Sequence, residues 1–192
     1  MPFLSPRLPN GLHATGAAST IDSARGLPGG MSAEPHLLIA WHSRTGTAEA
    51  LAAAAADGAQ GSVRLLEAAK VQPDDLLAAH AYLFVAPENL AALSGEMKEM
   101  FDRCYYSVLG RIEGRAYATI IAAGSDGEGA QRQIDRIATG WRLRRVAEPI
   151  LCRTGAQTPG DILARKIVGP EMIVTARNLG AAIAEGLRMG IY

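Results

Sequence analysis

From residue 36 onward, short apolar runs alternate with longer stretches in which apolar side chains recur every three or four positions. The runs at residues 36–41, 62–67, 82–86, 116–123 and 146–152 predict five β-strands. The alanine-rich stretch at residues 49–58, following a glycine-containing turn, and the stretches at 94–106, 130–142 and 171–189 predict helices. Pro73-Asp74-Asp75 opens a further short one, as a proline and acids do at a helix N-terminus. Residues 82–86 are apolar without interruption, the pattern of a strand covered on both faces. Strand–helix alternation builds successive βαβ units, so the expected fold is α/β: a doubly wound, five-stranded parallel sheet with helices on both faces. In such sheets ligands collect beyond the carboxyl ends of the strands, near the point where the strand order reverses. Three loops meet that description: residues 42–48, 87–94 and 124–129.

Residues 1–35 break the pattern. Pro2, Pro6, Pro9, Pro28 and Pro35 are interspersed with Gly11, Gly16, Gly26, Gly29 and Gly30, and neither a helical nor a strand period runs through them. The expectation is a disordered extension ahead of one folded domain at residues 36–192, with Met31 as a candidate natural start. The segment has no continuous apolar core of a secretory signal, although Arg7 and Arg25 among serines and alanines keep a targeting segment as an alternative.

The 192-residue chain is long enough for one sizeable core. Its 19 Lys and Arg balance 19 Asp and Glu, so no net field steers it toward nucleic acid or a membrane surface, and neither is an expected partner. Arg132, Arg136, Arg142, Arg144 and Arg145 read as solvated helix faces. Cys104 and Cys152 lie far apart with no metal-ligand spacing, which suits a reducing, cytoplasmic setting. No apolar run reaches the roughly 20 residues of a membrane-spanning helix.

The first loop carries the clearest chemistry. Ser43-Arg44-Thr45-Gly46-Thr47-Ala48 places short hydroxyls and a glycine just before a helix, where free backbone N–H groups and the helix dipole form a phosphate pocket without needing a lysine. Two rival nucleotide motifs, G-x-x-x-x-G-K-[ST] and G-x-G-x-x-G, are absent after this strand. The strand also ends in Trp41-His42-Ser43 rather than in the aspartates of a phospho-acceptor receiver. The plainer reading is that Ser43 and Thr45 only cap the helix and shape a tight turn. On the residues alone the two readings stand level, and His42 reads as an ordinary loop residue.

The stretch from Leu37 to Gly46 resembles the first strand and S-x-T-G phosphate loop of the flavodoxin family, and in particular its NAD(P)H-dependent FMN reductase and multimeric-flavodoxin branch. Ser94-Gly95-Glu96-Met97-Lys98-Glu99-Met100-Phe101-Asp102-Arg103 resembles that family's S-G-x-M-K-x-F-x-D-R helix. The resemblance spans residues 36 to 152 and implies a flavodoxin-like fold with the FMN phosphate held by Ser43, Thr45, Gly46 and Thr47. It implies that Pro87, Glu88, Asn89 and Leu90 border the flavin ring on one side, and Gly124, Ser125, Asp126 and Gly127 on the other. This chain departs at Ala48, where flavodoxins place a further threonine, and at Asn89-Leu90, where many relatives carry an aromatic residue. Ring stacking by such an aromatic contributes about 1 kcal/mol, which Asn89 and Leu90 do not supply.

The implied activity is that of an FMN-dependent oxidoreductase, taking hydride from NAD(P)H and passing electrons to a flavin, a quinone or a similar small acceptor. Near-neutral charge sets it apart from the strongly acidic electron carriers of the family. A non-enzymatic carrier and a scaffold that has lost its flavin are the alternatives. A homo-oligomer is a further implied feature, since relatives often complete the flavin site from a neighbouring subunit. Tyr105, Tyr106 and Trp141 read as packing residues, and Asp102 and Arg103 as members of helix ion pairs.

Overall fold

The structure, a computed structural model, describes residues 36–61 and 63–192. The expected N-terminal extension at residues 1–35, with the candidate start Met31, lies outside the described residues, as does Ser62.

Strand β1, Leu37–Trp41, is apolar at every position and lies between two parallel neighbours, β2 (Val63–Glu67) and β3 (Ala81–Asn89). The short strand β4, Ala92–Leu93, pairs back on β3 in the antiparallel sense. Strand β5, Ala116–Ala123, is buried along its whole length and pairs in parallel with β3, and beyond it lie two short strands, β6 (Arg144–Arg145) and β7 (Ile150–Arg153). The parallel order is therefore β2-β1-β3-β5, with β6 and β7 together forming the outer fifth strand.

The fifth strand corrects the sequence expectation. Residues 146–152 do not form one ladder: pairing stops after Arg145 and resumes at Ile150. Pro149 lies in the gap, and proline has no N–H to give a neighbouring strand.

The strands alternate sides, and the helices divide accordingly. Helices α1 (Thr47–Ala59) and α6 (Pro170–Arg188) cover the face that carries Leu37, Ile39, Leu83, Val85, Ala118 and Ile120. Helices α2 (Pro73–Ala78), α3 (Gly95–Val108) and α4 (Glu128–Gly140) cover the face of Leu38, Ala40, Tyr82, Phe84 and Ile121. A short helix α5, Pro159–Leu163, lies between β7 and α6, where the sequence pattern predicts none.

Backbone approaches backbone where α1 meets α6. A Cβ on Gly180 would overlap the Ala55 carbonyl, and one on Gly58 would overlap the carbonyl of Arg177. On the opposite face α4 is held by a polar chain: Thr119 Oγ1 donates to Gln131 Oε1 at 2.7 Å, Gln131 Nε2 to Asp135 at 2.9 Å, and the Tyr117 hydroxyl to Asp135 at 2.9 Å. Arg115 donates to the last carbonyls of α2 and just beyond it, those of Leu76, Leu77 and Ala79.

Trp141 is buried edge-on against Phe101, as a packing residue should be. Tyr105 and Tyr106 do not pack into the core: they meet edge to face at the outer end of α3, and Tyr106 is 84% exposed. Asp102 and Arg103 pair within α3, with Lys98 and Glu99 respectively. Cys104 and Cys152 are both buried and free. Among the described residues no helix is long and apolar enough to cross a membrane.

Candidate functional site

The carboxyl ends of β1, β3 and β5 open on a cleft of about 500 Å³, within the roughly 300–1,000 Å³ range of small-molecule sites. Its floor is the turn between β1 and α1. Gly46 is the N-cap of α1 with φ +92°, a left-handed conformation that suits glycine, and its N–H donates to Ser43 Oγ at 3.1 Å. Ser43 therefore does shape the turn. The N–H groups of Thr47, Ala48 and Glu49 in the first turn of α1 find no acceptor among the described residues. Beside them Thr47 Oγ1 is buried, only 3% of the residue being exposed, and is without a hydrogen-bond partner. A buried hydroxyl left unpaired costs about 1–3 kcal/mol. An orphan hydroxyl and free N–H groups converging at a helix N-terminus fit a phosphate monoester.

The second loop is a tight hairpin. Its central residues Leu90 and Ala91 have φ of +52° and +57°, unusual for residues with a side chain. What holds the strain is α4. Glu88 accepts from the Gly127 N–H at 2.7 Å and the Ala130 N–H at 3.1 Å, Leu93 N–H donates to Gln133 Oε1 at 2.9 Å, and the Ala91 carbonyl sits so close to Gly129 that any Cβ there would overlap it. Glu88 thus borders the cleft while its carboxylate caps α4. Leu90 stands fully exposed at the tip.

The third loop contributes less wall than its three glycines suggest. Gly124 lines the cleft, but Ser125, Asp126 and Gly127 do not. Gly127, with φ +97°, is the N-cap of α4, and the Asp126 carbonyl accepts from Arg153 Nε at 2.8 Å. Of the residues singled out in sequence, Ser43, Arg44, Thr45, Thr47, Ala48, Pro87, Glu88, Asn89, Leu90 and Gly124 are brought together on the cleft, and Gly46 supports it from behind.

One wall escaped the sequence reading altogether. Thr154, Ala156, Ile162, Leu163 and Lys166, from the strap between β7 and α6, complete the cleft. Gly155 N–H bonds the Gly124 carbonyl at 2.8 Å, and Lys166 N–H bonds that of Thr45 at 2.8 Å, so the strap bridges the third loop to the first. A signal was present: Thr158-Pro159-Gly160-Asp161 is an N-cap followed by proline, and Thr158 Oγ1 accepts from Asp161 N–H at 3.1 Å.

His42 is more than a loop residue. Its Nδ1 lies 3.0 Å from Ser94 Oγ and its Nε2 lies 3.6 Å from Glu96, which also pairs with Arg44. Burial lowers the imidazole below its ordinary 6.5, against the attraction of Glu96 and with the repulsion of Arg44. The trio has the order of a serine–histidine–acid array, but Ser94 is wholly buried, so it fastens the first loop to α3 rather than meeting a substrate.

No protein-family model matches the sequence, and no curated protein matches it. Solved structures do. A flavodoxin from the domain Archaea superposes with a TM-score of 0.64 at 18% identity, over 80% of this chain and 99% of that one. A WrbA-like flavodoxin from Agrobacterium tumefaciens gives 0.63 at 18% identity, over 81% and 98%. The flavodiiron protein from Giardia intestinalis gives 0.64 at 17% identity, over 80% of this chain but 36% of that longer one. Strand order, two-sided helix layers and these superpositions agree that the chain has the flavodoxin-like fold.

Proposed function

We propose that this protein binds FMN in the cleft and works as an FMN-dependent oxidoreductase, taking hydride from NAD(P)H and delivering electrons to a flavin, a quinone or a similar small acceptor. The observation that carries the reading is the orphan Thr47 hydroxyl, buried at the N-terminus of α1 where a phosphate would satisfy it. In this reading Thr47 and the free N–H groups of α1 hold the phosphate, and Ser43 keeps the turn in shape through the Gly46 N–H. Pro87 to Leu90 and Ala122 to Gly124, at the ends of the neighbouring strands β3 and β5, line the rest of the cleft and would border a flat ring. Bound FMN supplies the redox chemistry, and the chain's task is to orient it, tune it and control access. Leu90, Ile162 and Leu163 give the mouth an apolar rim suited to an apolar acceptor. The two free, buried cysteines accord with a reducing, cytoplasmic setting.

The test is the visible spectrum of the purified protein before and after addition of FMN, followed by anaerobic NADH and then NADPH. Bound flavin that bleaches with a nicotinamide supports the oxidoreductase. Bound flavin that stays oxidised favours a carrier, and no flavin binding ends the reading. The carrier remains the second reading because electron transfer alone needs only a bound flavin and no nicotinamide site beside it.

A further inference from the structure

A second hollow adjoins the β3–β4 hairpin that borders the cleft. It is a shallow basin of about 520 Å³ along α4, walled by Gly129, Arg132, Gln133, Arg136 and Ile137. Leu90 lines the cleft, and the next residue, Ala91, sets its carbonyl against Gly129 of the basin. The two hollows are therefore neighbours across the tip of one hairpin.

The polar wall of the basin offers donors. Arg132 and Arg136 stand one turn apart on the same face of α4, a like-charge spacing that destabilises a helix unless something answers it. Among the described residues Arg136 makes neither an ion pair nor a hydrogen bond, and Arg132 has only a loose pair with Glu128, at 3.6 Å. Gln133 gives its carbonyl oxygen to the Leu93 N–H at 2.9 Å, which leaves its amide NH2 as a further donor. No carboxylate lines the basin. Glu88 of the hairpin is taken up by the Gly127 and Ala130 N–H groups, and Asp135 of α4 turns to Tyr117 and Arg145. The hollow at the start of α3 is different, since Glu96 and Glu99 stand there beside Arg44. Two guanidinium forks and an amide donor with no acid among them match a phosphate monoester, and the partly buried Ile137 adds an apolar floor.

NADPH differs from NADH by one phosphate monoester, on the 2′-oxygen of the ribose that carries adenine, remote from the ring that gives up hydride. We propose that Arg132 and Arg136 hold this 2′-phosphate while the nicotinamide reaches over the hairpin into the cleft, so that the protein uses NADPH in preference to NADH. The proposal rests on the oxidoreductase reading for the identity of the ligand, but the anion site in the basin does not depend on it. Both arginines are exposed, so replacing them leaves the fold and the flavin cleft untouched.

Wild type, the double variant Arg132→Gln/Arg136→Gln and the double variant Arg132→Lys/Arg136→Lys are titrated calorimetrically with adenosine 2′,5′-bisphosphate and with 5′-AMP, and the FMN-loaded proteins are assayed for KM with NADPH and NADH. The glutamine variant is expected to weaken the bisphosphate and to raise KM for NADPH by about tenfold, with 5′-AMP, NADH and FMN affinity unchanged and with partial rescue by lysine. Equal losses for NADPH and NADH overturn the proposal, because the arginines would not then be reading the 2′-phosphate. An unchanged KM for NADPH in the glutamine variant overturns it as well, with the oxidoreductase reading intact. Arginine-dependent binding of the bisphosphate in a protein whose flavin neither nicotinamide reduces sinks the oxidoreductase reading and leaves the anion site standing. A wild type that does not bind the bisphosphate overturns the proposal whatever its flavin does.

Discussion

Thr47 and Glu88 show how much of the site is decided by single polar atoms. The Thr47 hydroxyl is buried without a partner in the free protein, and on the proposed reading a bound phosphate would satisfy it. Thr47→Val keeps the branched shape at that position, so the free protein is expected to gain about 1 kcal/mol in urea unfolding, while FMN affinity falls about tenfold. A destabilised free protein would show that the hydroxyl has a partner after all. Glu88 is read differently once its geometry is known: its carboxylate takes two N–H groups at the start of α4, where a negative charge is favoured. Glu88→Gln keeps the size and loses the charge, and is expected to cost about 1 kcal/mol of stability. The hairpin tip should then exchange its amide hydrogens faster, which hydrogen exchange at Leu90 and Ala91 would register; unchanged rates would mean that Gln133 and Gly129 hold the hairpin without it.

Among the elements, the sequence reading succeeds where periodicity is long and fails where partners are distant. Helix α1, expected at residues 49–58, runs Thr47–Ala59, and α6, expected at 171–189, runs Pro170–Arg188. Such helices announce themselves because each repeats its pattern over several turns. The β3–β4 hairpin does not: Leu90-Ala91 is not a sequence that selects a turn with two left-handed residues, each of which costs about 1–2 kcal/mol. It forms because α4 supplies the partners. The contact of α1 with α6 is similar, since nothing in the local pattern of Gly180 reveals that the Ala55 carbonyl lies against it. Gly180→Val is expected to lower stability by about 3 kcal/mol in denaturant unfolding, because two helix backbones must separate. A loss no larger than that of an exposed helical glycine would show that the pair can slide apart freely.

At the scale of the whole molecule, the pH response follows from two imidazoles that flank β1, one before it and one after it. His36 is lowered below 6.5 by burial and then by His80, Arg64 and Arg115, and His42 by burial with Arg44 adding to it against Glu96. In both cases the folded state favours the neutral ring, so the unfolded chain binds more protons once the pH drops. Stability is whole above 6.5 and is lost as the pH falls through 6.5 toward the lowered folded values. The urea midpoint should therefore drop as the solution is taken from neutral to mildly acidic pH, and drop less when both histidines are replaced by Gln. An equal drop in that double variant would place the acid sensitivity elsewhere.

Local pattern was enough to predict an α/β chain with its strands in order and to direct attention to the loops at the carboxyl edge of the sheet, where the cleft lies. Each depends on interactions within a few residues or on chirality that all chains share. The split of the fifth strand, the strained hairpin at Leu90-Ala91, the unpaired state of Thr47 and the strap that brings Lys166 to the first loop were decided only in three dimensions. The reason is separation along the chain. Thr45 and Lys166 meet through a single backbone hydrogen bond between segments that no periodicity links, and only the folded sheet sets them side by side.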